Sequence, residues 1–208
     1  DDMENDVKEF LSELLKQLKS IDYIKPEDIP NIDLYMDQVT TFMDEQLAAS
    51  KRYESDKILT KTMINNYAKN NLLPSPDKKK YSKEHVLTLL FIYYFKNILS
   101  INDIRSILNP LTEKYFGNDD GFTMQDVYTE VFGLEAEESQ KLLKDLGKKY
   151  KIAGETFENF PAEDQKFLHT FSFICMLSFD VYIKKMLIER MIDDLNEEKE
   201  ASKKTGSN

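Results

Sequence analysis

Val7, Phe10, Leu11, Leu14, Leu15 and Leu18 recur at the helical period, which predicts an opening amphipathic helix of about three turns. Pro26 and Pro30 then break the chain. The sequence Pro30-Asn31-Ile32-Asp33 supplies caps for a second helix carrying Met36, Val39, Phe42, Met43 and Leu47 on one face, and that helix runs out in the polar stretch Ser50 to Asp56. Thr60 caps a short third helix reaching about Asn70. In it Met63, Ile64 and Tyr67 point inward, while Lys61, Thr62, Asn65, Asn66 and Lys69 face out. Asn71 stands where a helix ends in the left-handed conformation, which Asn tolerates better than most residues, and Leu72 and Leu73 pin the turn to the core.

Ser82, with His85 three residues on, opens the next helix. Its interior from Val86 to Phe95 has Thr88 as its one strongly polar residue, so it belongs at the centre of a core or an interface. Ser100 caps a further helix with Ile101, Ile104, Ile107 and Leu108 inside, which Pro110 is expected to stop. Gly117 to Gly121 reads as a loop, Thr123 with Asp126 as a helix start, and Ala136 to Tyr150 as another polar helix. After a loop from Gly154 to Phe160, Pro161 at a first helical position launches the longest helix, which runs to roughly Glu198 and leaves a frayed polar tail to Asn208. The apolar segment from Phe167 to Ile183 is too short, and too interrupted by His169 and Asp180, to span a membrane. It is read as the buried spine of a C-terminal bundle or a dimer interface, with Cys175 buried and inert among its neighbours.

Composition narrows the class. The chain of 208 residues is 41% apolar and 32% charged, with 13 Phe, 11 Tyr and only six Gly, which is a globular and mainly helical balance. One cysteine excludes an internal disulfide and a cysteine-based zinc site. With an acidic start from Asp1 to Asp6 where a secretory signal would be basic, the expectation is a soluble cytoplasmic protein. The net charge of -10 argues against a nucleic-acid partner until it is divided along the chain. Residues 1–50 carry 4 basic and 13 acidic side chains and residues 106–208 carry 13 and 20, but residues 51–105 carry 11 and 5. The one basic block holds the turn Asn70 to Pro76 and the lysine run Lys78 to Lys80, arranged as the turn and wing of a helix-turn-helix.

The order of residues here resembles the MerR-type winged helix-turn-helix. Leu59-Thr60, Met63-Ile64-Asn65-Asn66-Tyr67 and Asn71-Leu72-Leu73-Pro74 are similar to that family's recognition helix and its exit. Lys79-Lys80-Tyr81-Ser82-Lys83-Glu84-His85-Val86 resembles its wing and following helix start, and Ser100-Ile101-Asn102-Asp103-Ile104-Arg105 resembles its next helix. With Pro30 to Met36 the whole also looks like an uncharacterised bacterial family known as a domain of unknown function, over roughly residues 30 to 110. Asn65-Asn66 stands where the family has an Arg-Tyr pair, Asn71 where it has Gly, the wing is shorter, and Ser50 to Asp56 is an insertion. The resemblance carries over Asn65 to the Arg position, Tyr67 to the second aromatic position and Lys79 to the wing Arg position.

The sequence reading is therefore an all-α protein: an N-terminal helix and linker (1–29), a MerR-like winged helix-turn-helix with a short wing (30–110), and a C-terminal helical bundle for dimerisation or effector sensing (111–208). Lys61, Thr62, Asn65, Asn66, Tyr67 and Lys69 would face the groove of double-stranded DNA and Lys78, Lys79 and Lys80 its phosphates, in a homodimeric bacterial transcriptional regulator. No catalytic constellation, metal-ligand spacing or cofactor motif stands out, no membrane contact is expected, and effector residues are not identified. The rival is an interaction module of the same shape that does not touch DNA, which the overall acidity favours. A third reading is a peripheral protein docked on a membrane complex through its aromatic C-terminal helix.

Overall fold

The computed structural model describes residues 2–20 and 23–206. Asp1, at the acidic start, and Ser207 and Asn208, at the end of the polar tail, lie outside them. The chain is built from α1 (Asp2–Ser20), β1 (Leu34–Tyr35), α2 (Met36–Gln46), α3 (Lys61–Lys69), β2 (Lys80–Tyr81), α4 (Lys83–Phe95), α5 (Ile101–Tyr115), α6 (Met124–Gly133), α7 (Glu135–Gly154) and α8 (Ala162–Thr205). It is an all-α fold with one antiparallel pair, in which Leu34 faces Tyr81 and Tyr35 faces Lys80. Among the described residues no helix is long and apolar enough to cross a membrane. Two compact units emerge, Tyr23–Gly133 with Glu189–Asn208, and Asp1–Asp22 with Leu134–Ile188.

In the first of these units α4 is the centre. It packs against β2, α5 and α6, and its residues from His85 to Tyr93 are all buried, which explains why its sequence is apolar nearly all round. Its start is a reciprocal box. The Ser82 hydroxyl accepts from the His85 backbone N–H, and His85 Nδ1 accepts from the Ser82 N–H at 2.9 Å. Thr60 and Ser100 cap α3 and α5 through 3.1 Å bonds from Met63 and Asp103, and Thr123 with Asp126 opens α6 as the spacing predicts. The Tyr128 hydroxyl donates to the Ile24 carbonyl at 2.6 Å, joining α6 to the stretch that precedes β1.

Several expectations are corrected. The second helix is not capped by Pro30 to Asp33. That stretch leads into β1, and Gln38 Oε1 accepts from the Tyr35 N–H at 2.8 Å at the head of α2 instead. Pro110 does not stop α5, which continues to Tyr115. Proline removes a single N–H, and here it lies on the exposed side of the helix, where water can serve the freed carbonyl. α1 spans 19 residues rather than three turns, and the polar tail is helical through Thr205.

In the unit of residues 1–22 and 134–188, α1 packs on α7. Gly147 permits a close approach: a Cβ there would stand 3.1 Å from the Leu11 side chain. Phe10 stacks on Tyr150 with centroids 4.3 Å apart, and Phe173 meets both edge-on. Lys149 bridges Asp145 and Asp180; the two carboxylates raise the Lys149 pKa, and the Lys149 ammonium lowers that of Asp180. The segment Phe167 to Ile183 is not a buried spine. Phe167, Phe171, Ile174 and Phe179 are 51–70% exposed, and Cys175 is half-buried rather than enclosed. α8 meets α1 and α7 through Phe173 and Asp180, and its apolar residues turned away from them stay exposed.

Candidate nucleic-acid interface

α3 is short, and its two faces are sharply divided. Ile64 and Tyr67 are buried, whereas Lys61, Thr62, Asn65, Asn66 and Lys69 are all exposed. At 100° per residue the five exposed side chains fall within an arc of about 140°. Thr62, Asn65 and Lys69 have no side-chain partner among the described residues. Asn66 is held in place by Asn70, whose amide donates to its side-chain oxygen at 2.8 Å. Tyr67 departs from the expected set. It is 7% exposed and turned into the core, and burial raises its pKa. Its role is to seat α3, and its carbonyl accepts from the Leu72 and Leu73 N–H groups as the helix ends.

That ending is tightly specified. Asn71 has φ 59°, the left-handed conformation read from its position. Leu72 and Leu73 are buried beneath it. Arg105 Nε donates to the Asn70 carbonyl at 2.8 Å, placing a guanidinium at the negative end of α3.

Beyond Pro74 the chain forms a two-residue hairpin turn. Asp77 and Lys80 exchange backbone hydrogen bonds of 3.1 and 2.8 Å, and between them Lys78 and Lys79 have φ of 48° and 65°. Two consecutive left-handed residues make the turn that suits the twist of a hairpin and is ordinarily filled by Asn-Gly. Lysine there costs about 1–2 kcal/mol per residue in backbone sterics. The turn nonetheless carries two exposed lysines with no carboxylate partner among the described residues.

The hairpin and α3 are brought together by the head of α2. The Lys80 ammonium lies 5.2 Å from the centre of the Tyr35 ring, and Lys61 forms an ion pair with Asp37. Tyr35 and Asp37 are two residues apart, a span of at most about 7 Å. The start of α3 and the base of the hairpin are therefore both tied to the head of α2, with Lys61 partly neutralised there. His85 fixes the hairpin from below. Because Nδ1 accepts from Ser82, Nε2 carries the proton and donates to the Pro74 and Ser75 carbonyls at 3.1 and 3.2 Å. Burial pushes its pKa down, against the opposing pull of those carbonyls and Asp33, so the neutral ring is the working form.

Sequence patterning finds the outward face of α3 and the lysine run. It misses Tyr35, Asp37, Arg105 and the anchoring role of His85, all of which act across more distant parts of the chain. A family model described as "Domain of unknown function (DUF1836)" matches residues 24–131. The match begins at Ile24, whose carbonyl receives the Tyr128 hydroxyl, and takes in α3, the hairpin and the buried α4. No curated protein and no solved structure matches the chain. With more than half of its length, including every residue of this surface, inside that match, the chain belongs to the DUF1836 family.

Proposed function

We propose that this chain is a DNA-binding transcriptional regulator of MerR-like winged helix-turn-helix design, in which α3 enters the major groove and the hairpin lies on the backbone. The observation that carries the reading is the exposed, largely unpartnered arc of Thr62, Asn65 and Lys69 beside a strained turn that displays Lys78 and Lys79. Asn can pair bidentately with adenine, Thr can bond a base or touch the thymine methyl, and Lys can reach guanine or phosphate. One helix of nine residues reads few bases, so such a regulator works as a two-fold dimer on paired half-sites. The second copy would cover the outward apolar face of α8, where Phe167, Phe171 and Ile174 recur at spacings of four and three.

Salt-titrated binding to random-sequence duplex DNA tests this. The wild-type chain binds with an affinity that falls steeply with salt. The pair Lys78→Ala and Lys79→Ala lowers the logarithmic slope by about 2, since each phosphate that is no longer neutralised removes about 0.9. Absence of measurable affinity at about 50 mM salt overturns the reading. It would favour the rival, a module of the same shape that binds protein, for which the neutralisation of Lys61 by Asp37 speaks.

A further inference from the structure

The polar insertion between α2 and α3 has no part in the surface described above, yet it is not a loose loop. Ser50 Oγ is hydrogen-bonded to the hydroxyl of Tyr93, a buried residue of α4. The same Tyr93 ring lies 5.7 Å from the Lys96 ammonium. One side chain thus ties the insertion to the end of α4 and positions a cation beside it. Lys51 is folded against Asp44 at 3.0 Å with its side chain only 14% exposed, and Arg52 lies over the Tyr53 ring at 5.3 Å. Between these groups is an open cavity of about 310 Å³ walled in part by Lys51, Arg52, Lys57 and Lys96.

The charge in this cavity is unbalanced. Asp44 is engaged by Lys51, which lowers the Asp44 pKa. Asp56, the one carboxylate on the wall, accepts from the Tyr53 backbone N–H at 3.0 Å. Arg52 and Lys96 have no ion-pair partner among the described residues, and Lys57 acts on Asp44 through its charge without a close ion pair. With Asp56 the one carboxylate against Lys51, Arg52, Lys57 and Lys96, the wall keeps a surplus of positive charge that a bound anion would offset. The Ser50 and Tyr93 hydroxyls are taken up by the Leu47 carbonyl and by each other, but the planar fork of a guanidinium beside flexible ammonium groups, with the Asn97 amide on the same wall, suits a tetrahedral oxyanion with several acceptor oxygens.

We propose that this pocket receives a phosphate group. The phosphate can belong to the DNA backbone, in which case the insertion extends the interface and this arm rests on the DNA reading, or to a free phosphorylated molecule. Two measurements on the full chain separate these sources. Inorganic phosphate is titrated with amide chemical shifts as the readout, against chloride at equal ionic strength. DNA binding across salt is compared between the wild type and Arg52→Gln with Lys96→Gln.

Saturable shifts confined to residues 50–58 and 93–97, abolished in the double variant and in Lys57→Gln, are expected with phosphate and not with chloride. If the source is the backbone, the double variant also lowers the salt slope by about 0.9 for each phosphate left without its cation, separately from Lys78 and Lys79. If the source is a free molecule, the slope is unchanged while the phosphate shifts remain in the wild type. Non-saturating shifts equal to those in chloride, together with an unaltered DNA slope, overturn the proposal. A wild type that binds phosphate but no DNA sinks the DNA reading alone.

Discussion

α4 and the first half of α8 carry similar runs of apolar and aromatic residues, yet one is buried and the other is bare. From His85 to Tyr93 every residue of α4 is enclosed, while Phe167, Phe171, Ile174, Val181, Tyr182 and Ile183 on α8 are each more than half exposed. The difference lies in the neighbours. β2, α5 and α6 surround α4, whereas α8 meets α1 and α7 through Phe173 and Asp180. Hydropathy states that a surface needs cover; it does not state that the same chain provides it.

This contrast can be broken by mutation. The largest effect is expected at the centre of the enclosed helix, where Leu89→Ala should lower stability to urea by about 2–5 kcal/mol through reduced burial and a residual cavity. Phe171→Ala, in dilute protein, should stay within about 0.5 kcal/mol. Equal losses at the two positions would mean that α8 is covered after all, and a cost at Phe171 that grows with protein concentration would identify a second copy as the cover. Next in size, Arg105→Ala should cost about 1.5–3 kcal/mol by removing a charged donor from the Asn70 carbonyl. Thr60→Ala, which removes the cap at the other end of α3, should cost about 1 kcal/mol.

His85 gives the enclosed unit a pH dependence that the α8 half lacks from this source. Its folded pKa lies below the ordinary histidine value, so the unfolded chain takes up the proton first. The stability that the neutral ring supplies is complete above about pH 6.5. It is lost as pH falls through the folded pKa, when Nδ1 can no longer accept from Ser82. Urea midpoints of the wild type should decline across that range more steeply than those of His85→Gln, and parallel curves would remove His85 as the cause. At the turn, Lys78→Asn with Lys79→Gly should stabilise the hairpin by about 1 kcal/mol, the left-handed strain relieved less the chain entropy that glycine loses on folding. In the same variant DNA affinity should fall.

Features governed by near neighbours are legible in the sequence. Thr60, Ser82, Ser100 and Thr123 each cap the helix assigned to them, Asn71 is left-handed, and the exposed face of α3 contains the five residues read as outward. Such features depend on three- and four-residue periodicity and on single-residue backbone preferences. What is not legible depends on partners remote in sequence. Tyr35 meets Lys80 because β1 pairs with β2, Asp37 meets Lys61 where α2 packs on α3, and Arg105 reaches Asn70 across 35 positions. Pro110 misleads for a related reason: whether a proline ends a helix depends on which side of it faces water. The exposed run on α8 misleads because periodicity marks an apolar face without revealing its neighbour.

The bond from Tyr128 to the Ile24 carbonyl has a consequence for modularity. It brings the entry of the family segment beside its exit, so that the chain enters and leaves this region at nearly one point. A segment closed in that way can be placed within, or appended to, unrelated sequences without stretching its own framework. The end of α8 from Glu189, with Ile192 buried, is part of the same compact unit, so this closed framework also holds a piece of chain from beyond its exit.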